Sequence, residues 1–132
     1  MNEISTSISA LVETIKSLRG EQGCPWDKKQ TTESLRKYLI EEFGEILQAI
    51  DNHDLQNLSE ELGDFLYLII MLSDINESNG TFSLVDVIRG INDKLIRRHP
   101  HVFSGAVVKD EKELRNQWNK IKDAEKAEKL FD

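Results

Sequence analysis

The sequence has 132 residues, 17 Lys+Arg against 24 Asp+Glu for a net charge of −7, and a single cysteine. That length suits one packed domain, and the acidic balance argues against a general nucleic-acid or anionic-membrane binder. One Cys excludes an intrachain disulfide and an ordinary thiolate zinc site. No apolar run approaches the ~20 residues of a membrane span, and the first residues lack a basic stretch followed by an apolar one. A soluble protein of a reducing, cytoplasmic compartment is therefore expected.

With two Pro, seven Gly and no alternating β-branched run, the chain predicts an all-α fold, an antiparallel bundle of four to five helices forming a single domain over 1–132. Ile8, Leu11, Val12, Ile15 and Leu18 recur at three- and four-residue intervals and predict a first helix over about 2–19. Gly20 to Thr31, with Gly23 and Pro25, reads as a loop. Thr31 or Thr32 caps a second helix, whose stripe is Leu35, Leu39, Phe43, Ile46, Leu47 and Ile50 and which ends near Asp51. After a short Asn52-His53 turn, Asp54 caps a third helix running to about Glu77 with Leu55, Leu58, Leu62, Phe65, Leu66 and Ile69. Ser83 with Asp86 resembles a capping box for a fourth helix over about 83–98, and Pro100 stops it. His99 to Lys109 reads as irregular; Asp110 with Glu113 then caps a last helix to about Lys129, whose highly charged end is expected to fray.

Chemistry concentrates on two helices. The second carries Glu41-Glu42-Phe43-Gly44-Glu45 and the third Glu60-Glu61-Leu62-Gly63-Asp64. Residues three apart lie about 60° apart around a helix, so Glu42 with Glu45, and Glu61 with Asp64, each share a face. The tight turn makes the two helices an antiparallel hairpin in which the four acids are level. Glu42 borders the apolar stripe of its helix, and Glu61 and Asp64 share their side with Leu68, Met71 and Leu72. Carboxylates gathered at a core boundary repel one another and lose hydration unless cations neutralise them. All-oxygen ligation without His or Cys suits Mg²⁺, with Mn²⁺ as a substitute, and leaves positions open for phosphate oxygens. His99 and His101 flank Pro100, and structural hydrogen bonding is the better reading for them.

The Glu-Glu-x-x-Glu block followed by Glu-x-x-Asp on the next helix resembles the MazG-type nucleoside triphosphate pyrophosphohydrolases of the all-α NTP pyrophosphatase superfamily. Two flanks carry the same likeness: Gly23-Cys24-Pro25-Trp26-Asp27 with Gln30-Thr31, and Asp93-Lys94-Leu95-Ile96-Arg97-Arg98-His99-Pro100-His101-Val102-Phe103. The match covers about residues 8–122. The resemblance implies Mg²⁺-dependent hydrolysis of an NTP or dNTP to the monophosphate and pyrophosphate, with Glu42, Glu45, Glu61 and Asp64 as metal ligands. It implies Glu45 as the group accepting the proton of the attacking water, with Glu41 second. Lys94 and Arg98 resemble the family's phosphate-contacting pair, whereas Arg97 is either a further contact or an ion-pair partner. Trp118 and Lys122 resemble residues that meet the nucleotide, Trp118 being otherwise a packing anchor. Trp26 either lines the base pocket or plugs its loop onto the core. Cys24 is read as structural.

One domain of this size covers its apolar faces only partly, and Tyr67, Leu68, Ile70 and Met71 lie beside or opposite the main stripe of the third helix. A homodimer with helix-on-helix contact is expected, a tetramer being the alternative. Rival functions are a narrower-substrate relative, such as a dUTP or dCTP pyrophosphatase or a phosphoribosyl-ATP pyrophosphohydrolase, and a non-catalytic helical interaction module.

Overall fold

The computed structural model describes residues 2–131, with side chains as far as Lys129. Among the described residues there are seven helices and no strand: α1 (Glu3–Arg19), α2 (Pro25–Lys29), α3 (Thr32–Asp51), α4 (Leu55–Ser78), α5 (Leu84–Arg98), α6 (Pro100–Phe103) and α7 (Glu111–Phe131). The five long ones lie where the sequence predicts them. The other two, α2 and α6, are single turns in segments predicted as irregular, and each opens on a proline at its first position. Proline is preorganised there, because its fixed φ is helical and its missing N–H has no partner to lose. The frayed end expected of the last helix is helical as far as Phe131, and residue 132 lies outside the described residues.

The chain divides into two compact units after Leu84, each described here by itself. In the first, α3 and α4 form an antiparallel hairpin. Its turn is fixed by hydrogen bonds: the N–H of His53 donates to Ile50 O at 3.1 Å and that of Asp54 to Ala49 O at 3.0 Å. His53 adopts φ 53°, the left-handed conformation this helix ending requires. Asp54 Oδ1 then accepts from Asn57 N at 3.1 Å and starts α4. At the entry to α3, Thr31 and Ser34 cap each other reciprocally. The N–H of Asn76 Nδ2, near the end of α4, donates to Thr32 Oγ1 at 3.1 Å and closes the hairpin at its open end.

Ile15, Leu35, Leu68, Ile70, Met71 and Ile75 form the core of this unit, so α1 packs on the face of α4 that carries Leu68 and Met71. This overturns one expectation. Leu68, Ile70 and Met71, predicted for a dimer contact, are fully buried within the chain, and the Tyr67 hydroxyl hydrogen-bonds to the buried carboxylate of Asp27. Part of the predicted stripe is exposed instead, Phe43, Leu47 and Ile50 on α3 and Leu55, Leu62 and Leu66 on α4, whereas Leu35 of the same stripe is buried and Leu39 packs against the core. A helix with apolar residues around much of its circumference fits a core on either side, and the docking of α1 and α2 selects one.

The α2 segment is fastened by polar contacts. Arg19 donates to Asp74 Oδ2 at 3.2 Å and to the carbonyl of Asp27 at 2.6 Å, and the buried Gln30 side chain donates to Trp26 O at 2.8 Å. Gly23 is required where α2 approaches α1, since a Cβ there would lie 2.1 Å from Leu18 O.

In the second unit, α7 is capped as expected: Asp110 Oδ1 accepts from Glu113 N at 2.9 Å, and Glu113 Oε2 accepts from Lys109 N at 2.7 Å. No helix among the described residues is long and apolar enough to cross a membrane.

Candidate metal centre

Glu42 stands midway between Leu35 and Ala49, seven residues from each, and both of those are buried. Glu61 precedes the buried Leu68 and Ile75 at the same interval, and Asp64 precedes the buried Met71. Seven residues are nearly two turns, so the acids continue the core rows of the α3–α4 hairpin. Leu35, Ala49, Leu68 and Ile75 fill these rows with apolar groups. At the level of Glu42 and Glu61 they hold carboxylates.

One carboxylate oxygen each from Glu42, Glu45 and Glu61 lies within 4.8 Å of the others. Glu42 and Glu61 are half-buried, whereas Glu45 is exposed. Oε2 of Glu42 and Oε2 of Glu61 are buried and have no hydrogen-bond partner. Asp64 is near enough for its charge to act on Glu42, but stands outside the trio. Glu41 is exposed and also outside it.

The electrostatics follow from this crowding. Hydrogen bonding to Glu45, loss of hydration, and the charges of Glu45 and Glu42 together push Glu61 up to about 8. Glu42 is raised as well, chiefly by lost hydration, although its hydrogen bond with Glu61 opposes this. At neutral pH the trio without a cation therefore retains a proton. Two orphaned acceptor oxygens in a converging oxygen-only set are what a hard divalent cation satisfies, and the residues present fit one.

The second unit holds the predicted cationic and aromatic residues. Arg97 Nε donates to Glu125 Oε1 at 2.7 Å, and Arg98 Nη2 donates to Glu125 Oε2 at 3.0 Å. Arg97 and Arg98 thus share one ion-pair partner, Glu125. Lys122 Nζ lies 5.3 Å from the ring centroid of the half-exposed Trp118, and Lys94 is half-buried. Trp118, Arg98, His99 and Leu114 line a cavity of about 160 Å³. His99 Nδ1 lies 2.5 Å from Leu95 O and His101 Nδ1 3.3 Å from Gln117 Nε2, the structural hydrogen bonding expected of both. In the first unit Trp26 packs edge-on to Tyr38 with centroids 5.1 Å apart and lies against the core.

Sequence reasoning missed Glu125. It lies on the face of α7 that carries Trp118 and Lys122, but nothing in the spacing announces partners 27 and 28 residues earlier.

These features define an all-α module built on a helical hairpin whose core rows are interrupted by carboxylates. Residues 30–103 match the model of the MazG nucleotide pyrophosphohydrolase domain, and the chain belongs to that family. It is 44% identical over 129 residues to the nucleoside triphosphate pyrophosphohydrolase/pyrophosphatase MazG of Thermotoga maritima, covering 98% of this chain and 49% of that protein. It is 39% identical over 123 residues to the nucleoside triphosphate pyrophosphohydrolase of Escherichia coli, covering 92% and 47%. Identity reaches 51% over 112 residues with Bacillus subtilis YabN, of which the chain covers 23%. The chain thus spans half or less of the length of these relatives. The crystal structure of a mazG-related protein from Thermotoga maritima matches with a TM-score of 0.73 at 31% identity, over 87% of this chain and 98% of that one.

Proposed function

We propose that this chain hydrolyses nucleoside triphosphates, ribo or deoxy, to the monophosphate and pyrophosphate with Mg²⁺, Mn²⁺ substituting. The observation that carries the reading is the carboxylate trio at core positions, with two buried oxygens that the protein itself leaves unpartnered. Membership of the MazG family supports the substrate class. Glu42, Glu45 and Glu61 would hold the cation, with Asp64 as a fourth acid beside them. When bound, Mg²⁺ neutralises charge on the phosphate oxygens and makes water more acidic. Water attacks phosphorus, the bond joining the α and β phosphates breaks, and the leaving pyrophosphate carries away the electron pair. Glu45 is assigned the water proton because it alone of the trio is exposed, so its carboxylate is reachable from solvent. Glu41, exposed on the same helix, stands second. Lys94, Arg98 and Lys122, with Arg97, are assigned to the triphosphate, and Trp118 to the base. Trp26 is assigned to holding α2 in place.

Incubating the purified chain with a panel of NTPs and dNTPs and Mg²⁺ is expected to yield the monophosphate and pyrophosphate. Diphosphate and inorganic phosphate instead, or no turnover with any nucleotide, would refute the assignment.

The same proposal includes a homodimer, and the exposed apolar side chains of Phe43, Leu47, Ile50, Leu62 and Leu66 support that face as its contact. Light scattering behind a sizing column should return twice the chain mass, and Phe43→Glu together with Leu66→Glu should return the monomer. A monomeric unaltered chain at micromolar concentration removes this part of the proposal.

A further inference from the structure

Arg97 and Arg98 are adjacent on α5, and one carboxylate from α7 holds both. Glu125 Oε1 accepts from Arg97 Nε at 2.7 Å and lies 3.5 Å from Arg98 Nε, while Oε2 accepts from Arg98 Nη2 at 3.0 Å. The side chains of Arg98 and Glu125 are only 17% and 15% exposed, whereas that of Arg97 is 52% exposed. The grip is therefore edge-on. It uses the Nε side of each guanidinium and leaves both Nη groups of Arg97 and the Nη1 group of Arg98 outside the carboxylate's hydrogen bonds. A planar guanidinium has five N–H donors, so a group held along one edge still offers its end to a second acceptor. Arg98 also lines the cavity that it shares with His99, Leu114 and Trp118.

We infer that Glu125 is a positioning residue that holds the guanidinium groups of Arg97 and Arg98 by one edge, so that their free ends form a ready-made clamp for the phosphate chain of the substrate. The inference rests on the function proposed above and deepens it. Two neighbouring arginines repel each other and carry large rotamer freedom, and a ligand that had to order them itself would bind more weakly for that reason. Glu125 relieves the repulsion and orders the side chains in advance. The two arginines hold its carboxyl down to about 2, so the grip stays charged across the working pH range. The geometry also admits the opposite role, in which Glu125 occupies the seat of the phosphate and competes with it, and the sign of a conservative substitution separates the two.

The test uses Glu125→Asp, which keeps the charge but shortens the side chain by one methylene, beside Glu125→Gln, which keeps the length but removes the charge. Inorganic tripolyphosphate without metal is titrated calorimetrically into the unaltered chain and both variants, and steady-state kinetics are measured with the best nucleotide. Under the positioning role, both variants bind tripolyphosphate about tenfold more weakly and raise KM by a similar factor. In the same variants kcat at saturation changes less than about threefold, and the Mg²⁺-induced rise in Tm is unchanged. Tighter binding or a lower KM in Glu125→Asp overturns the inference in favour of competition. A lower Tm with unchanged affinity and KM overturns it in favour of a purely structural ion pair. If the unaltered chain turns over nucleotides but does not bind tripolyphosphate at millimolar concentration, the clamp is wrong while the proposed reaction stands. If it binds tripolyphosphate and turns over no nucleotide, the reaction is wrong, and the binding comparison alone decides the role of Glu125.

Discussion

Glu61→Gln is expected to lower kcat on the order of 10²-fold or more while leaving the protein folded and at least as stable as the unaltered chain in the absence of divalent cations. Glu61 has a buried oxygen without a hydrogen-bond partner and is the most strongly perturbed acid of the trio. An amide there offers a donor to Glu45 and Glu42 in place of the proton that Glu61 keeps at neutral pH, so folding is preserved where the metal site loses a ligand. Glu42→Gln should behave alike, because it stands in the matching row of α3 between Leu35 and Ala49. The comparison that assigns the proton acceptor is Glu45→Gln against Glu41→Gln at saturating Mg²⁺. Near-normal turnover in the first would move that role to Glu41. Circular dichroism and thermal melts of the same samples show whether lost activity is lost folding. An active Glu61→Gln protein would remove the carboxylate trio from the mechanism.

The same crowding predicts how stability responds to pH. Without divalent cations, Glu61 titrates at about 8 in the folded chain against an ordinary value of 4.5. Between those values the folded state holds a proton that the unfolded state has released, so unfolding sheds protons and stability falls as pH rises. The contribution is fully present below about 4.5 and is lost once pH passes about 8. The Tm of the chain in chelator should therefore decline from about pH 5 to about pH 8. Mg²⁺ binds the deprotonated acids, so its gain in Tm should grow over that window as less proton has to be displaced. At a hundredfold excess over Kd the gain is about 10 °C. Proton release on adding Mg²⁺ near pH 7, read with an indicator dye, is the direct check. A Tm in chelator that rises through this window, or a Mg²⁺ gain undiminished in Glu61→Gln, would show that the acids do not share a proton and a cation in this way.

Local information in the sequence was sufficient for the five long helices. Caps at Thr31, Asp54 and Asp110 satisfy helix N–H groups from side chains three residues away, an interaction that needs no tertiary partner. The acidic centre was legible for a related reason: a short turn and a fixed helical period bring Glu42, Glu45 and Glu61 to one level of the hairpin whatever else packs on it. The seven-residue rows Leu35, Glu42, Ala49 and Glu61, Leu68, Ile75 are written in the spacing too. What the sequence could not decide was which side of α3 and α4 faces inward. Both helices carry apolar residues around much of their circumference, and the choice fell to α1, which packs Ile15 against the Leu68 and Met71 side and leaves Phe43, Leu47 and Leu66 exposed. The grip of Glu125 on Arg97 and Arg98 was equally out of reach. An ion pair between residues 27 and 28 positions apart exists only once the fold brings α7 within side-chain reach of α5, and no local period of either helix encodes that encounter.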